Sequence, residues 1–301
     1  MKNEINILCI GDVVGSIGCE FLRSKLSVLK RIEGIDAVIV NGENSADGNG
    51  ITPVSAKHIL DSGADIITGG NHSFRRPEMH TVLDESDCII RPANYPEGTY
   101  GKGYTIIDLG FTRIGVINIL GVVYTESLDC PFKTADSIIE KLKNDGIKNI
   151  LIDIHAEATA EKKALAYHLD GRVSAVFGTH THTQTADEQI LPNGTGFITD
   201  LGMVGPTDSV LGVKSELAIK KMKDKLPVRF AIADGKCHLD GCIFTIDVKT
   251  AICTCIFSMM HYPCSTTLLT VFKETRSVKW TVLSIIVPLF AGISICAVFN
   301  L

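Results

Sequence analysis

The sequence predicts a layered α/β fold, because short β-branched runs alternate with amphipathic stretches along most of its length. Two hairpin signals later in the chain add antiparallel strands to this alternation. Hydrophobic residues make up 45% of the 301 residues, which excludes a disordered chain and allows a large core. In folds of this class, ligands bind at the carboxyl ends of the strands, so the residues that follow each strand indicate function.

The first part of the chain alternates predicted strands and helices. Strands are predicted at residues 5–10, 37–40 and 65–68, and helices at 16–32, 52–61 and 77–85. The second helix has a clear start signal, with Thr52 as the N-cap and Pro53 at the first helical position. The first helix is predicted from its apolar face, which carries Phe21, Leu22 and Leu26.

The second part continues the alternation and adds hairpins. A hairpin is predicted over residues 105–119 with its turn at Gly110, and another over 189–198 with an Asn-Gly turn. Between them lie predicted helices at 134–144 and 159–169 and predicted strands at 149–154 and 175–177. Residues 228–248 are expected to form closing antiparallel strands.

The end of the chain differs from the rest. Residues 280–301 contain no charged side chain over 22 positions, and residues 251–272 lack Asp, Glu, Lys and Arg. The first of these segments is long enough to span a bilayer as a helix. We therefore predict a catalytic domain over residues 1–250 and an apolar helical tail over 251–301, with one or two membrane helices.

Charge and cysteine placement limit the partners and the compartment. With 29 Lys and Arg against 34 Asp and Glu, the net charge is −5, which argues against stable nucleic-acid binding. Cys9, Cys19, Cys88 and Cys130 are scattered singly among apolar residues, as expected for buried, reduced thiols. The N-terminal residues do not have the pattern of a secretory signal. We predict a cytoplasmic catalytic domain, with membrane contact through residues 280–301 and a homo-oligomer left open.

Polar side chains follow five of the predicted strands. They are Asp12, Glu43, Asn44, Asn71, His72, His155, His180 and His182. Because the last two form a His-x-His sequence after a strand, we expect both imidazoles on one face. Desolvating so many polar groups at one sheet edge is costly unless they share a purpose, and a metal centre provides one.

The types of side chain narrow the metal chemistry. Nitrogen and oxygen ligands without thiolate suit iron, manganese, zinc or cobalt. The number of ligands is too large for one tetrahedral zinc ion and suits two ions with open positions. Glu43 is the carboxylate positioned to bridge them. Two ions about 3.5–4 Å apart are the recurring arrangement in phosphoester hydrolysis.

Four stretches carry a family resemblance. GDVVGSIG, VNGENSADGNGIT, GGNH and GTHTHTQTAD resemble the YmdB-like subgroup of the calcineurin-like metallophosphoesterases, and the resemblance covers about residues 5–250. It implies a sandwich of two mixed β-sheets flanked by helices. It also implies a phosphodiesterase that acts on 2′,3′- or 3′,5′-cyclic nucleotides with two divalent or mixed-valence metal ions. Iron is the expected metal, with manganese or zinc as alternatives.

The resemblance also implies roles for individual residues. Asp12 and His182 would hold one metal with Asn44 close by, and Asn71, His155 and His180 would hold the other. Glu43 would bridge them, and a metal-bridging hydroxide would attack phosphorus in line. His72 would act as the general acid, donating a proton to the leaving oxygen. Two departures from the wider superfamily, Glu43 in place of Asp and Val14 in place of His, are shared by the subgroup.

Two alternative functions remain. Gly11, Gly15 and Gly18 follow a strand and could belong to a nucleotide-binding module without catalysis, although their spacing is not G-x-G-x-x-G. The last 40 or so residues resemble the C-terminus of FeoB-type ferrous-iron transporters. The chain could thus be a membrane-anchored phosphoesterase or a fusion with a transporter fragment, acting on another phosphoester, or carry a gene-model junction near Thr250. The Gly-rich stretch 46–50 is either a loop beside the site or a simple turn.

Overall fold

Two β-sheets form the centre of the fold. The computed structural model describes residues 4–247, and every element named below lies in that range. The strands are β1 (Glu4–Val13), β2 (Ala37–Asn41), β3 (Ile66–Thr68), β4 (Ile89–Ile90), β5 (Tyr104–Asp108), β6 (Arg113–Leu120), β7 (Asn149–His155), β8 (Ala175–Thr179), β9 (Gln189–Ile190), β10 (Gly196–Ile198), β11 (Met203–Pro206), β12 (Cys237–Leu239) and β13 (Gly241–Asp247). The helices are α1 (Gly15–Ile32), α2 (Pro53–Asp61), α3 (Met79–Glu85), α4 (Pro131–Asn144), α5 (Thr159–Leu169) and α6 (Ser215–Asp224).

Both sheets mix parallel and antiparallel pairs. The first has the order β12-β11-β1-β2-β3-β4, with β13 also paired to β1, and the second has the order β5-β6-β7-β8-β10-β9. Strand β1 runs parallel to β2 and β11 and antiparallel to β13. In the second sheet, β6, β7, β8 and β10 run parallel to one another, so their carboxyl ends share an edge.

Apolar side chains arrange the elements in four layers. Ile7 and Phe244 of the first sheet pack with Val116 and Phe177 of the second, which forms the core between the sheets. Leu22 and Leu26 of α1 cover the outer face of the first sheet together with residues of α2 and α3. Helices α4 and α5 cover the outer face of the second sheet in the same way. The predicted architecture of two mixed sheets flanked by helices is confirmed.

The start of α2 shows how a local sequence signal fixes a helix. The Thr52 hydroxyl accepts a hydrogen bond from the Ser55 backbone N–H at 3.2 Å, and the Ser55 hydroxyl accepts one from the Thr52 N–H at 3.0 Å. This reciprocal capping box satisfies two backbone donors that would otherwise lack partners. Pro53 at the first helical position needs no such partner.

Several predicted boundaries were wrong, and three elements were missed. Helix α3 begins at Met79 instead of residue 77, and α4 begins at Pro131 instead of residue 134. Strand β4 has only two residues, β11 has the turn-like sequence MVGP, and α6 buries only Ala218, so none of the three gives a strong pattern. Within 228–236, which we expected to be a strand, the structure has one isolated bridge, from Ile232 to Val213.

Two further expectations concern the cysteines and the tail. Cys9 and Cys19 are buried as expected, whereas Cys88 and Cys130 are exposed, because they lie just outside a strand and a helix.

Within residues 4–247, no helix combines the length and the apolar character needed to cross a bilayer. The predicted domain boundary near residue 250, the membrane helices and the FeoB-like segment lie outside the described residues.

Candidate metal centre

The strand ends bring all eight predicted site residues together. Asp12 lies at the end of β1, Glu43 and Asn44 follow β2, Asn71 and His72 follow β3, His155 ends β7, and His180 and His182 follow β8. Each lies within about hydrogen-bonding distance of at least one other member of the set. The two sheets therefore contribute to one site, whereas we expected the residues at one edge of a single sheet.

One group of ligand atoms surrounds His155, and we name it the His155 cluster. It consists of Glu43, Asn71, His155 and His180. The His155 Nε2 atom lies 3.2 Å from Glu43 Oε1, 3.1 Å from Asn71 Oδ1 and 3.0 Å from His180 Nδ1. Candidate ligand atoms of Glu43, His155 and His180 all lie within 4.8 Å of one another, as a single cation would require.

A second group, the His182 cluster, consists of Asp12, Asn44 and His182. The His182 Nε2 atom lies 3.5 Å from Asp12 Oδ1 and 3.2 Å from Asn44 Nδ2. The His182 Nδ1 atom lies 3.1 Å from the Leu211 carbonyl oxygen, which can only accept, so the ring proton belongs on Nδ1. Nε2 is then the ring atom that faces Asp12 and would bind a cation in place of a proton.

Glu43 and Asn44 connect the two clusters. Asn44 Nδ2 donates to Glu43 Oε1 at 3.0 Å and lies 3.4 Å from Asp12 Oδ1. With this orientation, assigned from the hydrogen-bond network, the Asn44 carbonyl oxygen faces His72. The structure thus brings Asn44 to the His182 cluster but directs its best ligand atom away from it.

The geometric reason that we gave for the His-x-His sequence was wrong. Strand β8 ends at Thr179, so His180 and His182 lie in a loop, where both have positive φ angles of 102° and 59°. Their imidazoles therefore reach different clusters instead of sharing a strand face. Positive φ is unfavourable for histidine, at about 1–3 kcal/mol for each residue.

Hydrogen bonds to buried carboxylates hold this loop. The backbone N–H of His180 donates to Asp12 Oδ2 at 3.0 Å, and that of Thr181 donates to Asp200 Oδ2 at 3.1 Å. Asp200 is itself paired with the buried Lys162 ammonium at 2.7 Å. A buried, hydrogen-bonded ion pair beneath the loop can maintain the strained backbone.

The electrostatics of the site favour cations. Burial alone would raise the pKa of Glu43, but the charge and hydrogen bond of His155, together with His72, lower it well below its usual range. In the same way, His182 outweighs burial and lowers the pKa of Asp12. Both carboxylates are fully buried and ionised at neutral pH, and buried anions need compensating positive charge.

The space in front of the ligand atoms also fits a metal. A Cβ atom on Gly70 would lie 2.2 Å from Glu43 Oε2 and 2.4 Å from His155 Nε2, so only glycine leaves this approach open. Carboxylate, imidazole and amide groups are the donors that divalent iron, manganese and zinc accept. The residues present therefore fit the metal ions that the resemblance implies.

His72 lies beside the clusters with both ring nitrogens engaged. Its Nδ1 atom is 3.0 Å from both Asn44 Oδ1 and Glu43 Oε1, and its Nε2 atom is 3.1 Å from Asn49 Nδ2. Asn49 Oδ1 accepts from the Gly50 N–H at 2.6 Å, which directs the Asn49 amide N–H groups toward His72. The two acceptors at Nδ1 place a ring proton on that nitrogen.

Asn49 is a site residue that the sequence did not single out. The Gly-rich stretch 46–50 is a loop beside the site, the first of the two alternatives considered. Arg76 holds it by donating from Nη2 to the Asp47 carbonyl at 2.9 Å and from Nε to the Asn49 carbonyl at 3.1 Å. Asp47 in turn accepts from the Ser16 N–H at 2.8 Å. Nothing in the local pattern other than its glycines signals this placement.

The glycines that suggested a nucleotide-binding module have a packing role. A Cβ atom on Gly18 would lie 2.4 Å from the Val204 carbonyl oxygen, so glycine lets α1 approach β11 closely. Asp12 occupies the turn where a phosphate would have to bind, with its carboxylate in the His182 cluster. The geometry therefore favours the metal centre over this alternative.

Comparisons with known proteins assign the chain to a family. The family described as YmdB-like protein matches residues 8–258. A Bacillus subtilis protein named 2′,3′-cyclic-nucleotide 2′-phosphodiesterase is 46% identical over 246 residues, which cover 82% of this chain and 93% of that protein. A crystal structure of a hypothetical protein from Thermus thermophilus matches with a TM-score of 0.77 and 35% identity, over 84% of this chain and 97% of that one. The structure of a novel phosphatase from Mycoplasma pneumoniae matches with a TM-score of 0.79 and 32% identity, over 84% and 92% of the two chains. The chain therefore belongs to the YmdB-like protein family.

Proposed function

We propose that this phosphoesterase hydrolyses the phosphodiester of cyclic nucleotides, with 2′,3′-cyclic nucleotides as the first substrates to test and 3′,5′-cyclic nucleotides as the second. The observation that carries the proposal is the convergence of two buried carboxylates and three imidazoles at the strand ends. The name of the Bacillus subtilis relative, which is 46% identical over the matched residues, supports the substrate class.

The two clusters account for two metal ions. Asn71, His155 and His180 would hold one, Asp12 and His182 with Asn44 the other, and Glu43 would contact both. When bound, the ions would lower the pKa of a nucleophilic water and neutralise charge on the phosphate oxygens. The donor set does not distinguish iron from manganese or zinc, and we keep iron as the expected metal.

His72 would protonate the leaving ribose oxygen. Its side chain is 19% exposed, so it can meet a substrate, whereas Glu43 behind it is fully buried. We place the leaving oxygen at Nε2, where it would replace the Asn49 amide as the hydrogen-bond partner. An acidic N–H at Nε2 requires the imidazolium, whose Nδ1–H would donate to Glu43 and Asn44.

Metal analysis and a hydrolysis screen of the purified full chain test this function. We expect about two metal equivalents per chain and turnover of 2′,3′-cyclic nucleotides that a chelator abolishes and added metal restores. A protein that binds metal but hydrolyses only phosphomonoesters would overturn the substrate class. A protein that hydrolyses cyclic nucleotides equally well without metal would overturn the mechanism.

The predictions for residues 251–301 remain predictions. If this segment anchors the chain, the full-length protein should sediment with membranes, and a chain that ends near residue 250 should stay in the supernatant. The cytoplasmic location of the catalytic domain and a homo-oligomeric state are tested by fractionation and by the mass of the protein in solution.

A further inference from the structure

The hydroxyl of Thr179 connects the buried carboxylate of Asp153 to the ring of His155. Thr179 Oγ1 lies 2.7 Å from Asp153 Oδ1 and 2.9 Å from His155 Nδ1. The arrangement follows from the strands, since Asp153 and His155 are two residues apart on β7 and Thr179 pairs with His155 across to β8. All three residues are fully buried, so no water competes for these bonds.

The direction of the proton in each bond is determined by counting donors. A hydroxyl has a single proton, and Thr179 gives it to Asp153, since a carboxylate oxygen can only accept. The Asn41 amide nitrogen lies 3.4 Å from both His155 Nδ1 and Thr179 Oγ1, but it has closer acceptors in the Gly69 carbonyl at 3.0 Å and Asp153 Oδ2 at 3.3 Å. Thr179 Oγ1 then accepts from His155, which places a ring proton on Nδ1. Nε2, the atom that faces Glu43, Asn71 and His180, is therefore the ring atom that would exchange its proton for a cation.

Asp153 also accepts from the first sheet. Thr68 Oγ1, at the end of β3, donates to Asp153 Oδ2 at 2.5 Å, so each carboxylate oxygen has a threonine hydroxyl as its partner. The Thr68 hydroxyl is directed to Asp153, while the Thr179 hydroxyl contacts both Asp153 and His155. The two threonines therefore differ in one respect, the contact with the imidazole.

We propose that Thr179 and Asp153 are positioning residues, which hold His155 in the tautomer that presents Nε2 to the cation. This inference rests on the proposed role of His155 as a metal ligand. Partners of this kind orient a ligating imidazole and raise its basicity, and their loss typically lowers metal affinity by about 10- to 100-fold. Here a hydroxyl lies between the carboxylate and the ring, so the orientation depends on Thr179.

A matched pair of substitutions tests the proposal. Thr179→Val removes the hydroxyl that contacts the ring, and Thr68→Val removes an equivalent hydroxyl that is directed to Asp153. We expect Thr179→Val to lower the Zn²⁺ affinity of the full chain by about 10- to 100-fold, measured by competition with a chelator. Thr68→Val should change it by less than about threefold, and Thr179→Ser, which keeps the hydroxyl, should restore it.

A spectroscopic readout separates positioning from packing. In the zinc-loaded protein, the Nδ1 proton of His155 should give a downfield, slowly exchanging proton resonance, assigned by its loss in His155→Gln. The resonance should persist in Thr68→Val and Thr179→Ser and disappear in Thr179→Val. If Thr179→Val does not fold, Thr179→Ala and Thr68→Ala provide the same comparison.

Two results would overturn the inference. One is a Thr179→Val protein with unchanged zinc affinity and an intact resonance. The other is equal loss of affinity in Thr68→Val and Thr179→Val, which would show that the Asp153 environment acts through packing. Both leave the proposed function intact, because the wild-type chain would still bind metal and hydrolyse its substrate. A wild-type chain that binds no zinc would instead contradict both proposals.

Discussion

The two clusters of the site hold their imidazoles by different means. His155 lies within β7, and its Nδ1 atom contacts a side chain of the adjacent strand β8. His182 lies in a loop with positive φ, and its Nδ1 atom contacts the backbone carbonyl of Leu211, another loop residue with positive φ. One half of the site is thus built into a sheet, and the other half depends on the paths of two loops.

This difference affects how each half responds to substitution. A side chain that orients a ligand can be removed by mutation, as Thr179 can, whereas a carbonyl that does so remains whatever residue occupies the position. Loops also move more readily than paired strands. We therefore expect the His182 cluster to release its ion first when the metal is removed stepwise with a chelator.

The largest effect is expected from Glu43, which contacts both clusters. Glu43→Gln removes the negative charge that faces His155 at 3.2 Å and Asn44 at 3.0 Å. Metal content should fall well below two equivalents, and activity should fall by at least the ~10²–10³-fold that one electrostatic contact is worth. Glu140→Gln is the control, since Glu140 is an exposed glutamate on α4. Full metal content in Glu43→Gln would show that Glu43 does not bind the ions of the two clusters.

His72 should affect the rate and leave both clusters filled. His72→Ala removes the proposed proton donor, so kcat should fall by about 10²–10⁴-fold with two metal equivalents retained. The control is His80→Ala, which removes a nearby histidine that stacks on Tyr100. Loss of metal in His72→Ala would make His72 a ligand instead of an acid.

A comparison of His182 and Leu211 addresses the loop-based half directly. His182→Ala should remove one metal equivalent and leave the ion of the His155 cluster in place, as seen in a titration of bound metal. Leu211→Ala should bind both ions as the wild type does, because the carbonyl that contacts His182 is retained. Equal loss of both ions in His182→Ala would show that the clusters do not bind independently.

The smallest expected effect is the change with pH in the unfolding free energy of the metal-free protein. Burial would lower the pKa of His155, but Glu43 raises it to about 9. A raised histidine pKa stabilises the fold fully below the unfolded value near 6.5, and this contribution is lost as the pH rises toward 9. The unfolding free energy of the metal-free chain should therefore fall by about 1–3 kcal/mol over this range.

A second variant shows whether His155 causes this pH dependence. In denaturant titrations, His155→Gln should remove most of the fall in unfolding free energy between pH 6.5 and 9. The control is His168→Gln, which alters an exposed histidine and should leave this fall unchanged. If the wild type is equally stable across this range, the pair formed by Glu43 and His155 does not carry the expected charge.

The site residues could be predicted from the sequence to the extent that strands position them. Asp12 and His155 lie at the carboxyl ends of strands in different sheets, so the pattern predicts that each lies at a sheet edge but not that the two edges meet. The paths of His180 and His182 could not be predicted, since both depend on positive φ angles held by distant carboxylates. Asn49 was missed because the path of its loop depends on Arg76, 27 residues further along the chain.

The same reasoning explains the missed elements of the fold. Helix α6 buries only Ala218 and leaves its larger apolar side chains Ile219 and Met222 exposed, so it is not a core helix of the kind that the strand and helix alternation predicts. Strand β11 contains Gly205 and Pro206, which are typical of turns, yet it pairs with β1 next to Asp12. In both cases tertiary contacts outweigh local preference.

The ion pair of Lys162 and Asp200 has a consequence for how the enzyme acquires its metals. Asp200 of this pair accepts a hydrogen bond from the backbone N–H of Thr181, the residue between the two loop histidines. This contact involves protein groups alone and does not need a bound metal. The loop is therefore shaped before any ion arrives. Uptake should accordingly require no rearrangement of this loop, and an apoprotein kept cold for days should regain its ions without refolding.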